Sequence, residues 1–170
     1  MSVLVVKALS SQAPIFQNLL QLYTHDFSEF WAGSSKGDLE GDGRFAAYPL
    51  QDYWSNEKWS ASLIWRDDVL AGFVLVNDHA HSGESVDYNM AEFFILRKHR
   101  GRGVGRIAAE IVFSDRPGSW EVAIARKNVQ ALSFWRRTIG GTAKVKSVRE
   151  TDSNNEQWNG PILRFDWNIA

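Results

Sequence analysis

The chain has 170 residues, a formal net charge of -1 and 44% hydrophobic residues, which fits one globular domain spanning residues 1–170. It contains no cysteine, so disulfides and thiolate zinc sites are excluded, and the near-neutral charge argues against bulk nucleic-acid binding. The apolar run Val3 to Val6, closed by Lys7, is too short for a signal sequence or a membrane span, so a soluble cytoplasmic protein is expected.

Val3 to Leu9 reads as a first strand. Ser11 is placed to cap a helix that tolerates Pro14 in its first turn, with a buried stripe at Ile15, Phe16, Leu19, Leu20 and Tyr23. From Ser28 to Trp59 the periodicity breaks down, and a loop of that length inside a compact domain is usually functional. Ser60–Trp65 and Val69–Val76 read as a hairpin joined at Arg66-Asp67-Asp68. A polar connection over Asn77 to Asp87 leads to an apolar strand, Met90–Leu96. Val104–Phe113 carries the stripe Val104, Ile107, Ala108, Ile111, Val112 of an amphipathic helix. Pro117-Gly118 is expected to turn into a strand over Trp120–Ala125. Asn128 caps a helix that ends at Gly140-Gly141, and Ala143–Arg149 and Ile162–Asn168 close the chain as strands. One β-α-β unit, Met90 to Ala125, places its two strands parallel. The expected fold class is α/β: a mixed, mostly antiparallel sheet flanked by helices.

The chemistry concentrates in Arg100-Gly101-Arg102-Gly103-Val104-Gly105-Arg106. Glycine permits unusual dihedrals and close backbone approach, and a helix N-terminus offers unpaired N–H groups with partial positive charge. Gly103 and Gly105 in a first helical turn each cost about 0.8–1 kcal/mol against alanine, which folding alone does not justify. A pyrophosphate site does, with Arg97, Lys98, Arg100, Arg102 and Arg106 adding charge. Gly103 to Ala108 also fits the G-x-G-x-x-A dinucleotide pattern, with Glu121 downstream. Against a nicotinamide or flavin enzyme, the glycines follow the strand at a distance, Glu121 sits near the start of its strand, and only one β-α-β unit is present. His79 and His81 alternate in a loop with no third ligand near in sequence, so no metal site is assigned.

With Arg100, Gly103 and Gly105 as Gln/Arg-x-x-Gly-x-Gly/Ala, and Asn128, Ala131, Phe134 and Trp135 as Asn-x-x-Ala-x-x-Phe-aromatic, the sequence resembles the GNAT-type N-acetyltransferase superfamily. The order of elements matches across nearly the whole chain. The resemblance implies acetyl-coenzyme A as acyl donor. Its pyrophosphate would lie on Arg100, Gly101, Arg102, Gly103, Val104, Gly105 and Arg106, and its pantetheine beside Ile95, Leu96 and Arg97. Asn128 and Phe134 would line it, and the fourth strand would splay from the fifth. Trp135 departs from the tyrosine usual at its position, and an indole N–H is no practical proton source. An acyl-CoA-binding sensor without turnover is therefore the alternative to an enzyme.

Glu92 is the expected general base. It lies in an otherwise apolar strand and by alternation shares a face with Phe94 and Leu96, surroundings that raise a carboxyl pKa. Asp87 and Tyr88 are the fallback candidates. Between Tyr23 and Trp59 seven acids face three bases, an acidic and aromatic stretch that favours a cationic small-molecule amine as partner. A homodimer is compatible with all of this.

Overall fold

The computed structural model describes residues 1–168. Its elements are β1 (Val3–Lys7), α1 (Ala13–Ser28), α2 (Asp52–Ser55), β2 (Ser60–Arg66), β3 (Val69–Asn77), β4 (Tyr88–Ile95), α3 (Val104–Asp115), β5 (Gly118–Ala123), α4 (Val129–Gly140), β6 (Val145–Asn154) and β7 (Asn159–Trp167). The strands form one seven-stranded sheet in the order β1-β2-β3-β4-β5-β7-β6. Every neighbouring pair is antiparallel except β4 and β5. The mixed sheet flanked by helices is the architecture the sequence implies.

Both faces of the sheet are covered. One core lies under α3 and α4 and includes Val104, Ala108, Phe113, Trp120, Trp135 and Trp167. The other lies under α1 and α2 and includes Phe16, Leu20, Tyr53, Leu63, Phe73 and Phe94. The eight tryptophans thus serve mostly as packing, with Trp120, Trp135 and Trp167 buried outright. The β2–β3 turn is tight because Asp67 (φ 46°) and Asp68 (φ 62°) both adopt left-handed backbone, the requirement of a two-residue hairpin. Asp67 Oδ1 also accepts the Ser2 N–H at 2.7 Å.

Several boundaries differ from the sequence expectation. β1 ends at Lys7, and Ser11 caps nothing: it lies in a 3-10 turn, Ser10–Gln12, and α1 starts at Ala13 with Gln12 before it. The Gln12 side chain instead accepts the Leu9 N–H at 3.0 Å. The stretch from Ser28 to Trp59 carries a 3-10 turn at Glu29–Trp31 and the short α2. Gly118 opens β5 instead of turning before it, with φ 145° and Asp87 packed where a side chain would stand. β6 runs on to Asn154 and β7 begins at Asn159, because the two pair nearly to the tip of their hairpin.

Two irregularities shape the centre of the sheet. Leu75 faces Glu92 but Val76 faces Met90, so Ala91 is an extra residue, a β-bulge that bends its strand. Beyond the bulge, β4 and β5 do not pair: their register holds only Tyr88 with Trp120 and Asn89 with Glu121. From Met90 to Ile95, β4 therefore has its β5-side edge open.

Candidate active site

The open edge of β4 runs towards the N-terminus of α3. Between them, a 3-10 turn at Arg97–His99 leads into Gly101 (φ 71°) and Gly103 (φ 80°). These left-handed conformations admit glycine best. Gly103 is the N-cap of α3, no side chain caps it, and the first turn holds no acid, so its N–H groups are available to an anion. Gly105 serves closeness instead: a Cβ there would lie 3.3 Å from the Phe134 ring and 3.5 Å from Ile95. Phe134 in turn stacks on Phe93, with centroids 5.9 Å apart. The structure thus brings Ile95, Gly103, Val104, Gly105 and Phe134 together at one end of the open edge. Val104 is buried as the first residue of α3, and Leu96 belongs to the core under α1.

The basic residues divide. Arg97 and Arg100 both pair with Asp26, at 2.9 and 2.6 Å. Arg106 pairs with Glu110 at 2.8 Å, one helical turn on. Arg102 is exposed and, like Lys98, makes no ion pair among the described residues. The Asn128 side chain caps α4 by accepting the Ala131 N–H at 3.0 Å. Trp135 sits in the core against Phe93, Phe113 and Phe134.

Glu92 lies on the other face of β4, with Phe94 and Leu96 as alternation predicts. Met90, which unbroken alternation would add to that face, belongs to the core under α3, because the bulge at Ala91 reverses the phase. The Glu92 carboxylate accepts hydrogen bonds from the Tyr23 hydroxyl on α1 and, at 3.1 Å, from Tyr48. No cation pairs with it among the described residues. Burial pushes its pKa up to about 7, opposed by the two hydroxyl donors. The same burial, together with the Glu92 charge, raises both tyrosines well above their ordinary range, so they remain protonated donors. Tyr53, under a similar pressure, accepts from Asn77 at 3.3 Å.

The fallback residues have other work. Asp87 is held by Ser119, accepting its N–H at 2.8 Å and its hydroxyl at 2.9 Å. Tyr88 packs against Trp120 with the rings tilted and their centroids 5.0 Å apart. Glu121, the acid a dinucleotide site would need for a ribose, is fully buried. It accepts from His81 N–H at 2.5 Å, Ser82 N–H at 3.2 Å and Arg164 at 3.1 Å, which pins the Asn77–Asp87 connection to the sheet. His79 and His81 pack against different tryptophans, Trp59 and Trp158. Of the seven acids between Tyr23 and Trp59, Asp26 is neutralised by two arginines and the other six are exposed. The wall over Glu92 is aromatic, not acidic.

Tyr23 and Tyr48 on Glu92, and Asp26 on Arg97 and Arg100, are the contacts that sequence reasoning missed. Tyr23 reads from its spacing as part of the α1 stripe, and no local signal ties residues 44 and 69 positions away to Glu92.

Comparison with known proteins agrees with this geometry. No curated protein sequence matches the chain. Among solved structures, the fold is shared with an acetyltransferase from Thermus thermophilus, at 14% identity and TM-score 0.62 over 99% of this chain and 98% of that one. It is also shared with the PaiA N-acetyltransferase from Thermoplasma acidophilum in complex with coenzyme A, at 14% identity and TM-score 0.59 over 98% and 100%. A phosphinothricin acetyltransferase from Sinorhizobium meliloti in complex with AcCoA aligns at 6% identity and TM-score 0.61 over 99% and 90%. Residues 16–140 match the family described as acetyltransferase (GNAT), and with the splayed β4–β5 pair and the glycine-opened α3 in place, the chain belongs to that family.

Proposed function

We propose that this chain transfers an acetyl group from acetyl-CoA to the nitrogen of a small-molecule amine, acting as one domain over residues 1–170 in the cytoplasm. The observation that carries the reading is the conjunction of three features: the open edge of β4, the uncapped N-terminus of α3 at its end, and Glu92 on the same strand. Acetyl-CoA would supply the activated thioester. The amides of Val104, Gly105 and Arg106 would hold its pyrophosphate, with Arg102 adding charge. The unpaired β4 backbone before the Ile95 carbonyl, which Arg100 occupies, would take the amides of the pantetheine, as a neighbouring strand would.

Glu92 then removes the proton that an arriving ammonium must lose before its nitrogen can attack. A pKa of about 7 suits that role, since a base is most useful when poised near the working pH. A thiol of ordinary pKa, about 8.5, leaves readily as an anion, so in this reading the thiolate departs without an acid at Trp135. The small-molecule preference rests on the cover over Glu92. Gln21 ties the long segment down by bonding both backbone groups of Phe45, at 2.8 and 3.1 Å, and Gln17 bonds the Tyr48 carbonyl at 2.9 Å.

The burial of Trp135, where a hydroxyl would be a proton donor, favours a second reading, an acyl-CoA sensor without turnover. Release of free thiol from acetyl-CoA across a panel of amines separates the two. Glu92→Gln is expected to lower turnover by roughly 10²–10⁴-fold with acetyl-CoA affinity intact. Gly103→Asp, which sets a carboxylate at the anion site, should weaken that affinity by more than about tenfold. Acetyl-CoA bound but never consumed by the wild type would select the sensor; unchanged affinity in a folded Gly103→Asp variant would remove the site.

A further inference from the structure

We propose that Asp26 is a positioning residue that couples the phosphate loop to the catalytic base through the C-terminal end of α1. The inference rests on the acetyl-CoA site described above and goes beyond it.

Asp26 stands in the last turn of α1, at the negative end of the helix dipole, where a carboxylate weakens the helix that carries it. Its side chain is only 19% exposed and engages two arginines at once. Arg97 reaches Oδ1 through Nε and a terminal nitrogen, each at 2.9 Å. Arg100 reaches Oδ2 at 2.6 Å. Neither arginine belongs to α1. Both flank the entry to the phosphate loop, and Arg100 also donates to the Ile95 carbonyl at 2.7 Å while lying over the Phe94 ring. The first arginine of the loop motif thus runs under the end of β4 to reach α1, away from the anion site it introduces. The two arginines hold the Asp26 carboxyl below the usual carboxylate range, so the tie persists across the neutral range.

One turn before Asp26 on the same helix, Tyr23 donates to Glu92. Positions three apart share a helix face, so one short surface of α1 grips the base and the phosphate loop together. A pyrophosphate that settles the loop fixes Arg97 and Arg100, these fix Asp26, and the same rigid turn fixes Tyr23 against Glu92. The base is set when the acyl donor is in place.

The titratable groups facing Glu92 are Tyr23 from α1, Tyr48 from the segment after it and Tyr53 from α2; around Asp26 they are His25, Arg97 and Arg100. Of the three groups facing Glu92, only Tyr23 lies on the same element as Asp26, so loosening that element should act on Glu92 through the Tyr23 hydrogen bond. Losing a donor to the charged form raises a carboxyl pKa.

The test is amide hydrogen exchange on the full chain with and without saturating CoA, together with the pH profile of turnover. In the wild type, CoA should slow exchange both in the phosphate loop and at Tyr23 to Ser28. In Asp26→Asn the loop should still be slowed but α1 should not, kcat should fall by roughly tenfold, the scale of one charge-assisted hydrogen bond, and the alkaline-rising limb should move to higher pH. Asp26→Glu should restore the limb. Should Asp26→Asn not fold, Arg97→Gln, whose side chain is 67% exposed, carries the same readouts. A wild-type pH profile with α1 still protected by CoA in a folded variant would overturn the proposal, as would CoA bound to the wild type without any effect on α1. A wild type that binds no CoA at all would instead overturn the acetyl-CoA site, and this inference with it.

Discussion

Glu92 carries two consequences at the scale of a single residue. Its pKa is raised from an ordinary 4.5 to about 7, so the ionised form appears as pH rises through about 7, and with Glu92 as the proposed base kcat/KM should climb over that range to a plateau. Tyr23→Phe removes a donor that favours the carboxylate, so the climb should shift to higher pH and activity at pH 7 should drop; a profile that stays in place would deny the hydrogen bond a role. The same shift bears on stability with the opposite sense. A carboxyl with a raised folded pKa contributes its stability below the unfolded pKa and loses it as pH rises towards the folded one. The wild type should therefore lose on the order of 3 kcal/mol between about pH 4.5 and 7 that Glu92→Gln keeps. Urea unfolding of both proteins at pH 5 and pH 8 measures the difference. The burial of Glu92 was legible in its apolar strand, and its face in the alternation with Phe94. Its partners were not, because Tyr23 and Tyr48 reach it through tertiary packing that leaves no local pattern.

At the scale of elements, the legible parts are those set by backbone chemistry close in sequence. The Gly103 opening of α3, the Asn128 cap of α4 and the β2–β3 turn at Asp67-Asp68 each follow from residues within a few positions of one another. The failures come where distance or competition intervenes. Ser11 has the right chemistry for a cap, but a 3-10 turn and the Gln12 side chain close that corner first. The bulge at Ala91 has no signature in Met90-Ala91-Glu92, since both alternating phases present plausible residues to a core. It nonetheless lies where the open edge begins. A bulge bends its strand, and pairing with β5 stops at Asn89, just before it. Deleting Ala91 keeps every other β4 side chain on its present face while removing the bend. The expected product is a folded chain in which β4 pairs with β5 beyond Asn89 and CoA binding is lost. Calorimetry with CoA, with amide exchange of Met90 to Ile95 as the structural control, decides it; tight binding by the deletion variant would detach the cleft from the bulge.

At the scale of the molecule, a ligand that binds only the folded state adds its own free energy to stability. CoA at a hundred times its dissociation constant should add about 2.7 kcal/mol, which for a chain of this size raises the unfolding temperature by roughly 5–10 °C. Gly103→Asp, weakened in affinity by more than about tenfold, should show no more than about half of that rise at the same concentration, and a scanning calorimeter reads both. An equal rise in the variant would place CoA elsewhere.

The β4–β5 junction also divides the chain in time. Strands β1 to β4 each pair with their neighbour in sequence, and β5, β6 and β7 pair only among themselves apart from Tyr88 and Asn89 against Trp120 and Glu121. The β2–β3 and β3–β4 pairings close small loops and form soonest, whereas β1 joins β2 across the long connection that carries α1 and α2. Synthesis proceeds from the N-terminus, so these four strands, ending near Ile95, can assemble while the remainder is still being made. Their free edge at β4 is then exposed to other chains until β5 arrives. The opening proposed for the acyl donor in the finished protein is, for a nascent one, the place most open to mispairing.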